Sequence, residues 1–233
     1  KIVAGIPPSG IRKFFDVANE IEGAISLGVG EPDFVTPWNI RESAIHSIER
    51  GYTHYTSNHG MIELRRLIAD YLEERFCLHY NAEDTVITVG ASEALDIAFR
   101  AILDPGDEVL VPAPSYVSYE PGVTLCGGVA VPVPTYERDC FALMPEELEK
   151  AITPKTKAIV VPYPNNPTGG IMTREQIDAI LSVIRKYELL ILADEIYAEL
   201  AYGGRHVSIA EGNEDITVLI NGFSKAFAMT GWR

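Results

Sequence analysis

The sequence predicts an α/β fold in which a mostly parallel β-sheet is sandwiched between helices. Short apolar runs alternate with segments of helical periodicity, and polar or glycine-containing turns separate them. Such alternation favours parallel strands joined by crossover helices that cover both faces of the sheet. With 233 residues, 47% of them hydrophobic, the chain can bury one sizeable core.

The first part of the chain is expected to form an N-terminal arm over residues 1–35. It contains Pro7-Pro8, an amphipathic stretch at residues 11–21 and a glycine-rich turn. Residues 36–233 are expected to form one large domain.

Two helices are predicted at the start of this domain. Thr36-Pro37 supplies an N-cap and a first helical residue, and Gly51 ends the helix after about residue 50. Apolar residues at helical spacing predict a second helix within residues 60–76.

The rest of the domain reads as strands and helices in alternation. The runs of four or five apolar residues are too short for buried helices and are typical of strands that are buried on both faces. The predicted strands lie near residues 85–89, 108–111, 129–133, 158–162, 189–193 and 217–221, and the predicted helices near 92–103, 116–125, 145–152 and 173–187.

A lysine follows the last of these strands. Ser224 directly precedes Lys225, and Arg233 lies eight positions after it. A lysine amine in a partly dry, electropositive place can form a Schiff base with an aldehyde cofactor. A hydroxyl and a guanidinium are suited to holding a phosphate beside it. These groups, with a carboxylate elsewhere, are what a pyridoxal phosphate site requires; the alternative is a lysine on a solvated surface.

Asp194 is the candidate carboxylate, because it ends the apolar run at residues 189–193. Ligands of open α/β sheets bind at the carboxyl ends of the strands. A buried carboxylate is costly unless it is paired, and a protonated pyridine nitrogen is a suitable partner. Tyr197, three residues further on, can reach the phenolic oxygen of the same ring. The alternative is that Asp194 caps a following helix.

Two further turns follow predicted strands. In Tyr163-Pro-Asn-Asn-Pro-Thr-Gly-Gly170 a rigid turn can aim the Asn166 amide at a ligand, although the same residues also suit an ordinary loop. At Gly90-Ala91-Ser92 a helix begins, and its free N–H groups and positive dipole end can bind phosphate. The alternative there is a helix capped by Ser92 without a ligand.

Together these segments resemble the fold-type-I pyridoxal phosphate enzymes, and among them the class I and II aminotransferases. The resemblance rests on Asn166-Pro-Thr-Gly169, Asp194-Glu-Ile-Tyr197 and the segment from Ser224-Lys225 to Arg233. Their spacing also matches, with 28 residues from Asn166 to Asp194 and 31 from Asp194 to Lys225. The chain is most similar to the branch of aspartate, aromatic and N-acetyl-diaminopimelate aminotransferases.

The resemblance implies roles around the cofactor ring. Lys225 would be the Schiff-base lysine and proton shuttle, and Asp194 would pair with the pyridine nitrogen. Asn166 and Tyr197 would hydrogen-bond the phenolic oxygen, and Tyr116 would stack on the ring.

It also implies how the phosphate and the substrate are held. Tyr55 would reach the phosphate of a neighbouring subunit, which implies a homodimer. Gly30 would touch the substrate carboxylate through its backbone, and Asn166 would also contact the substrate. The implied phosphate ligands within one chain are Ala91, Ser92, Ser224 and Arg233.

The implied activity is pyridoxal-phosphate-dependent transfer of an amino group from an L-amino acid to a 2-oxo acid. A C–S β-lyase or another fold-type-I reaction is an alternative, because the same residues serve those reactions. A cofactor-binding sensor domain of a transcription regulator is an alternative of another class. It is disfavoured because the chain is acidic and shows neither a DNA-binding head nor a basic linker. A nucleotide-binding dehydrogenase lacks support, because Gly28-x-Gly30 is not followed by a third glycine.

Composition excludes several partners. The net charge of −14 disfavours nucleic acid and anionic membrane surfaces, and no apolar stretch approaches the ~20 residues of a membrane span. Five scattered histidines without ligand spacing predict no metal site. Three cysteines without C-x-x-C spacing indicate reduced thiols, from which we expect a cytoplasmic protein.

The ends of the chain suggest a piece of a longer protein. The chain begins at Lys1 and ends at Arg233, whereas members of the family that it resembles continue well beyond this point. We therefore expect the cofactor-binding large domain to be incomplete and the small C-terminal domain to be missing. By resemblance, the next strand would lie antiparallel inside the sheet, and a later arginine would bind the substrate carboxylate. We expect these 233 residues alone to be inactive or weakly active.

Overall fold

The computed structural model of the chain describes residues 2–7, 21, 23 and 30–232. Its strands are β1 (Glu108–Ala113), β2 (Val129–Pro134), β3 (Thr156–Val161), β4 (Leu190–Asp194) and β5 (Thr217–Ile220). The described strands form one sheet in the order β2–β1–β3–β4–β5, and every neighbouring pair is parallel. The predicted α/β fold with a mostly parallel sheet is confirmed.

Side chains of the central strands alternate between two apolar cores. In β3, Ile159 packs into one core, whereas Ala158 and Val160 pack into the other. In β4, Ile191 and Leu192 divide between the two cores in the same way. Because both faces of these strands are buried, the sequence shows continuous apolar runs and no polar alternation.

The helices cover both faces of the sheet. Their bounds are α1 (Ile2–Gly5), α2 (Trp38–Glu49), α3 (Ile62–Phe76), α4 (Ala91–Ile102), α5 (Tyr119–Leu125), α6 (Pro145–Ala151), α7 (Arg174–Lys186) and α8 (Phe223–Ala226). Helices α6 and α7 contribute to the first core, and α4 and α5 to the second. Helix α7 begins with a reciprocal cap in which Thr173 and Gln176 each accept the backbone N–H of the other.

The prediction of a strand at residues 85–89 is wrong, because this segment pairs with none of the described strands. A cleft of about 700 Å³ is lined both by residues 84–91 and by residues 217–219 of β5. A strand forms only where a neighbour completes its hydrogen-bond ladder, and the cleft side of this segment has no described strand beside it. The backbone N–H of Ile87 donates instead to the carbonyl of His59 over 3.0 Å.

Thr36 does not cap helix α2. The helix begins at Trp38 and has Pro37 in the N-cap position without a side-chain cap. The Thr36 hydroxyl donates to the carbonyl of Ala228 over 2.6 Å, and it accepts a hydrogen bond from the indole N–H of Trp232 at 2.9 Å. These tertiary bonds occupy the oxygen that a cap would use.

Most of the predicted arm, including residues 11–20 of the amphipathic stretch at 11–21, lies outside the described residues. The division of the chain at residue 35 therefore stays a prediction. In the part of the chain that is described, no helix combines the length and the apolar character that a bilayer crossing requires.

Gly60 tests the packing of the segment beside the cleft. It adopts a φ of +93°, and a Cβ there would lie 2.4 Å from Cγ1 of Ile87. Gly60→Ala is expected to lower the free energy of unfolding by about 2–4 kcal/mol, because backbone strain and a clash add together. Urea denaturation measures the loss.

Gly212→Ala is the matched control for this variant. Gly212 also has a positive φ, +73°, but nothing lies within 4 Å of an added Cβ. Only the backbone strain remains, so we expect a loss of about 1 kcal/mol. Equal losses in the two variants would contradict the contact between Gly60 and Ile87.

Candidate active site

The polar segments singled out in the sequence converge at one edge of the sheet. Because β3, β4 and β5 are parallel, the residues that follow them emerge on the same side. Asn166 follows β3, Asp194 ends β4, and Lys225 lies in the short helix α8 that follows β5.

Asp194 is a deeply buried charged group at this edge, with 5% of its surface exposed. Its Oδ2 accepts a hydrogen bond from the Tyr119 hydroxyl at 2.7 Å, and its Oδ1 accepts one from the Ile196 N–H at 3.3 Å. Burial raises the pKa of the Asp194 carboxyl above its usual value, the two hydrogen bonds oppose this rise, and the charge of Glu195 adds to it. Both hydrogen-bond donors are neutral groups, so they stabilise the carboxylate without cancelling its charge.

No α-helix follows Asp194, so it is not the cap of one. A turn leads into a single 3₁₀ turn at Ala198–Leu200. Within the first of these turns, the N–H of Ile196 donates a hydrogen bond to the Asp194 carboxylate. The alternative role of helix cap is therefore wrong, and the buried carboxylate needs another explanation.

Tyr119 is a site residue that sequence reasoning missed. It is 3% exposed, and its ring lies edge-on to that of Tyr116, with 5.6 Å between the ring centroids. Burial beside the Asp194 charge raises the pKa of its hydroxyl, which keeps the proton on Tyr119. The i, i+3 spacing of the two tyrosines was the available signal, because it places both rings on one side of the same turn.

Lys225, Tyr197 and Gly30 are in contact. The Nζ of Lys225 donates a hydrogen bond to the carbonyl of Gly30 and lies 5.6 Å from the centroid of the Tyr197 ring. A Cβ at Gly30 would be 3.8 Å from the Tyr197 hydroxyl. The amine is therefore held against an aromatic face, and the glycine leaves that hydroxyl accessible.

Tyr197 also connects this group to Asp194 and to the loop after β3. Burial raises the pKa of the Tyr197 hydroxyl, the charges of Asp194 and Tyr116 raise it further, and a hydrogen bond with the Asn166 side chain partly lowers it. Asn166, Asp194, Tyr197 and Lys225, which the sequence separates by up to 59 positions, thus meet in one place.

The two phosphate candidates near helix α4 lie at its first turn. Gly90, not Ser92, occupies the N-cap position, and no side-chain cap is formed there. The alternative in which Ser92 caps the helix is wrong. Ala91 and Ser224 line the same 700 Å³ cleft, which also reaches Ile196 and residues 221–223 and extends from there between residues 84–91 and β5.

Two predicted site residues are not brought into this group. Tyr55 is fully exposed, and within the described part of the chain it is not joined to Lys225 or Asp194. Arg233 lies outside the described residues. Within residues 2–7, 21, 23 and 30–232, no three His, Cys, Asp or Glu side chains are grouped as metal ligands.

Comparison with known proteins gives a consistent picture. The family model for aminotransferase class I and II matches residues 22–233. Bacillus subtilis YugH, provisionally named as an aminotransferase, is 53% identical over 99% of this chain and 61% of its own length. Aromatic-amino-acid aminotransferase 2 of Thermococcus litoralis is 44% identical over 98% of this chain and 60% of its own length.

A solved structure shows the same similarity in three dimensions. The aspartate aminotransferase from Thermus thermophilus superimposes with a TM-score of 0.94 at 40% identity and covers 100% of this chain. The chain covers 62% of that structure, and so spans about 60% of the length of the proteins that it matches.

The buried carboxylate predicts an unusual stability change. In the cofactor-free protein, Asp194→Asn is expected to raise the free energy of unfolding at pH 8, because it removes a negative charge that burial destabilises. The folded protein binds the Asp194 proton more tightly than the unfolded chain does. The loss of stability that the ionised Asp194 causes in the wild type therefore grows as the pH rises. The gain should shrink as the pH falls, because the wild-type carboxyl then takes up its proton and loses the charge that burial destabilises. Urea unfolding at several pH values measures it.

Asp96→Asn is the control of opposite sign. The hydrogen bond with Arg100 lowers the pKa of the Asp96 carboxyl, so its removal should reduce stability at pH 8 and have less effect at low pH. A loss of stability in Asp194→Asn at pH 8 would contradict the destabilising burial of Asp194.

Proposed function

The chain belongs to the class I and II aminotransferase family, and on this premise we propose that the protein uses pyridoxal 5′-phosphate to transfer an amino group from an L-amino acid to a 2-oxo acid. The observation that carries the proposal is the buried Asp194 carboxylate within a site that also contains Tyr197 and the Lys225 amine.

The side chains fit the proposed cofactor in charge. Asp194 is buried and has neutral hydrogen-bond donors, so a cation placed beside it would offset the cost of its burial. The protonated ring nitrogen of pyridoxal phosphate is such a cation. Tyr119 would keep the carboxylate oriented, and the ring N–H would donate a hydrogen bond to the carboxylate lone pairs that remain free.

When it is bound, pyridoxal phosphate supplies an electron sink for the pair left on a substrate carbon after a proton is removed. Lys225 Nζ moves that proton from the substrate Cα, and its contacts with Gly30 and Tyr197 hold the amine at the required place. Asn166 and Tyr197 orient the ring through its phenolic oxygen. The Gly30 backbone and Asn166 contact the substrate.

The phosphate is proposed to bind at the start of helix α4. The backbone N–H groups of Ala91 and Ser92 lie at the positive end of a 12-residue helix, and Ser224 lines the same cleft as Ala91. Arg233 adds a guanidinium, and Tyr116 stacks on the ring. The cofactor would thus be held at two places, its phosphate at the start of helix α4 and its ring nitrogen at Asp194.

We also propose a homodimer with shared active sites. No residue of helix α2 is buried, and its Trp38, Ile45 and Ile48 are more than half exposed, an arrangement that suits burial against a second copy. Tyr55, which is fully exposed, follows this helix and would reach the phosphate in the partner's site.

Two further statements belong to the proposal. The free thiols Cys77, Cys126 and Cys140 favour a cytoplasmic protein. Turnover is assigned to the whole protein, since this chain spans about 60% of its relatives' length.

Amino transfer to 2-oxoglutarate, as opposed to release of ammonia and pyruvate, distinguishes the proposal from a C–S β-lyase.

Lys225 is expected to be the point of covalent attachment. Borohydride treatment of the intact protein with pyridoxal phosphate, followed by peptide mapping, should place the label on Lys225. Lys225→Arg should abolish the label and lower kcat by at least ~10³-fold, because it keeps a positive charge but removes the nucleophilic and proton-transferring amine. Lys157→Arg, which alters a lysine paired with Asp107, should label normally. A label elsewhere would overturn the assignment.

Hybrid dimers test the shared site. Lys225→Ala and Tyr55→Ala are each expected to be nearly inactive as homodimers. A hybrid of the two should recover part of the activity, because one of its two sites then has both an intact Lys225 and an intact Tyr55. Activity is measured on hybrids isolated by two affinity tags. No recovery in hybrids of verified mass would show that each subunit has a self-contained site.

A further inference from the structure

A second carboxylate is buried directly after Asp194. The side chain of Glu195 is 3% exposed, and its partner His206 is 5% exposed. The Nε2 of His206 lies 2.9 Å from Oε2 of Glu195, but the two atoms do not have the geometry of a hydrogen bond. The two buried side chains are therefore in close contact, and the contact is an ion pair when His206 carries a proton on both ring nitrogens.

The other oxygen of Glu195 is held firmly. Its Oε1 accepts the Ser208 hydroxyl at 2.8 Å and the Ile209 N–H at 3.3 Å. The Glu195 N–H donates to the carbonyl of Ile220, which pairs with Asp194 in the sheet register. Glu195 and Asp194 are thus fixed on adjacent residues of one rigid strand end.

Two aromatic residues lie near the pair. Tyr80 packs nearby, and burial with the charges of Glu214 and Glu195 raises the pKa of its hydroxyl. The Phe76 ring lies edge-on to His206, with 6.3 Å between centroids. Of the titratable groups that face Glu195, which are Asp194, Tyr80 and His206, only His206 can carry a positive charge.

We propose that His206 is a positioning residue, which in its protonated form balances the charge of Glu195 so that the proton shared between Asp194 and the cofactor's ring nitrogen would reside on the nitrogen. The inference rests on the proposed function. Two adjacent buried carboxylates repel each other, and Glu195 is adjacent to Asp194 in the chain, whereas a ring nitrogen paired with Asp194 would be separated from Glu195 by the Asp194 carboxylate. An unbalanced Glu195 charge would therefore draw the proton onto Asp194 and remove the positive charge from the ring.

The simpler reading is that His206 only anchors the loop that follows residue 200. An anchor would affect folding and stability, but it would not shift a proton at Asp194. Removing the Glu195 charge would also not compensate for the loss of an anchor. These two differences allow a direct test.

The test uses the intact holoenzyme, reconstituted with pyridoxal phosphate that is ¹⁵N-labelled in the ring, and NMR at pH 8. In the wild type the ring nitrogen should be protonated. In His206→Leu the ratio of protonated to unprotonated nitrogen should fall at least ~10-fold, the equivalent of one pKa unit. In the double variant Glu195→Gln with His206→Leu, which removes both charges and keeps a side-chain acceptor for Ser208, the wild-type ratio should return.

Each other outcome has a defined meaning. If His206→Leu does not fold, His206→Gln replaces it, because it keeps a polar side chain but no positive charge. A wild-type ratio in the single variant, or no recovery in the double variant, would overturn the role of His206 and leave the proposed function intact. A wild-type protein that does not bind pyridoxal phosphate would overturn the proposed function, and this inference with it.

Discussion

The arrangement of the site depends on one constraint, the burial of the Asp194 carboxylate at the end of β4. Two neutral donors, Tyr119 and the Ile196 N–H, orient it without removing its charge. A buried carboxylate with only neutral donors is costly unless a cation lies nearby, whereas the neighbouring buried carboxylate of Glu195 has His206 beside it. The parallel sheet places the other site residues near this carboxylate, because Asn166, Asp194 and Lys225 lie at or after the ends of three neighbouring parallel strands.

The residues that a sequence can predict are those whose position follows from local pattern. Asp194 and Lys225 were predicted because each follows a short apolar run, and a parallel sheet places such positions together. Tyr119 was missed because its partner Asp194 is 75 positions away in the sequence, and the i, i+3 spacing from Tyr116 indicates that the two rings are close but not that Tyr119 bonds to Asp194. Helix α7 follows its predicted bounds closely because its cap and apolar face are both local.

The wrong predictions have the same origin. Residues 85–89 have the composition of a strand, but a strand also needs a neighbour, and on their open side lies a cleft shared with β5. Thr36-Pro37 has the local pattern of a helix start, but the Thr36 hydroxyl is bonded to Ala228 and Trp232 instead. In both cases a tertiary arrangement, which the local sequence does not contain, decides the outcome. The roles of Tyr55 and Arg233 remain predictions for the same reason, since they depend on a partner subunit and on undescribed structure.

The central claim is that Asp194 is paired with the ring nitrogen of pyridoxal phosphate, and calorimetry of the cofactor-free intact protein tests it most directly. Affinity is measured for pyridoxal phosphate and for its analogue in which carbon replaces the ring nitrogen, with the wild type and with Asp194→Asn. The account predicts that the wild type prefers the natural cofactor by at least ~10²-fold, in keeping with ~3–5 kcal/mol for breaking a buried charge pair, and that Asp194→Asn loses this preference. An equal preference in the two proteins would contradict it.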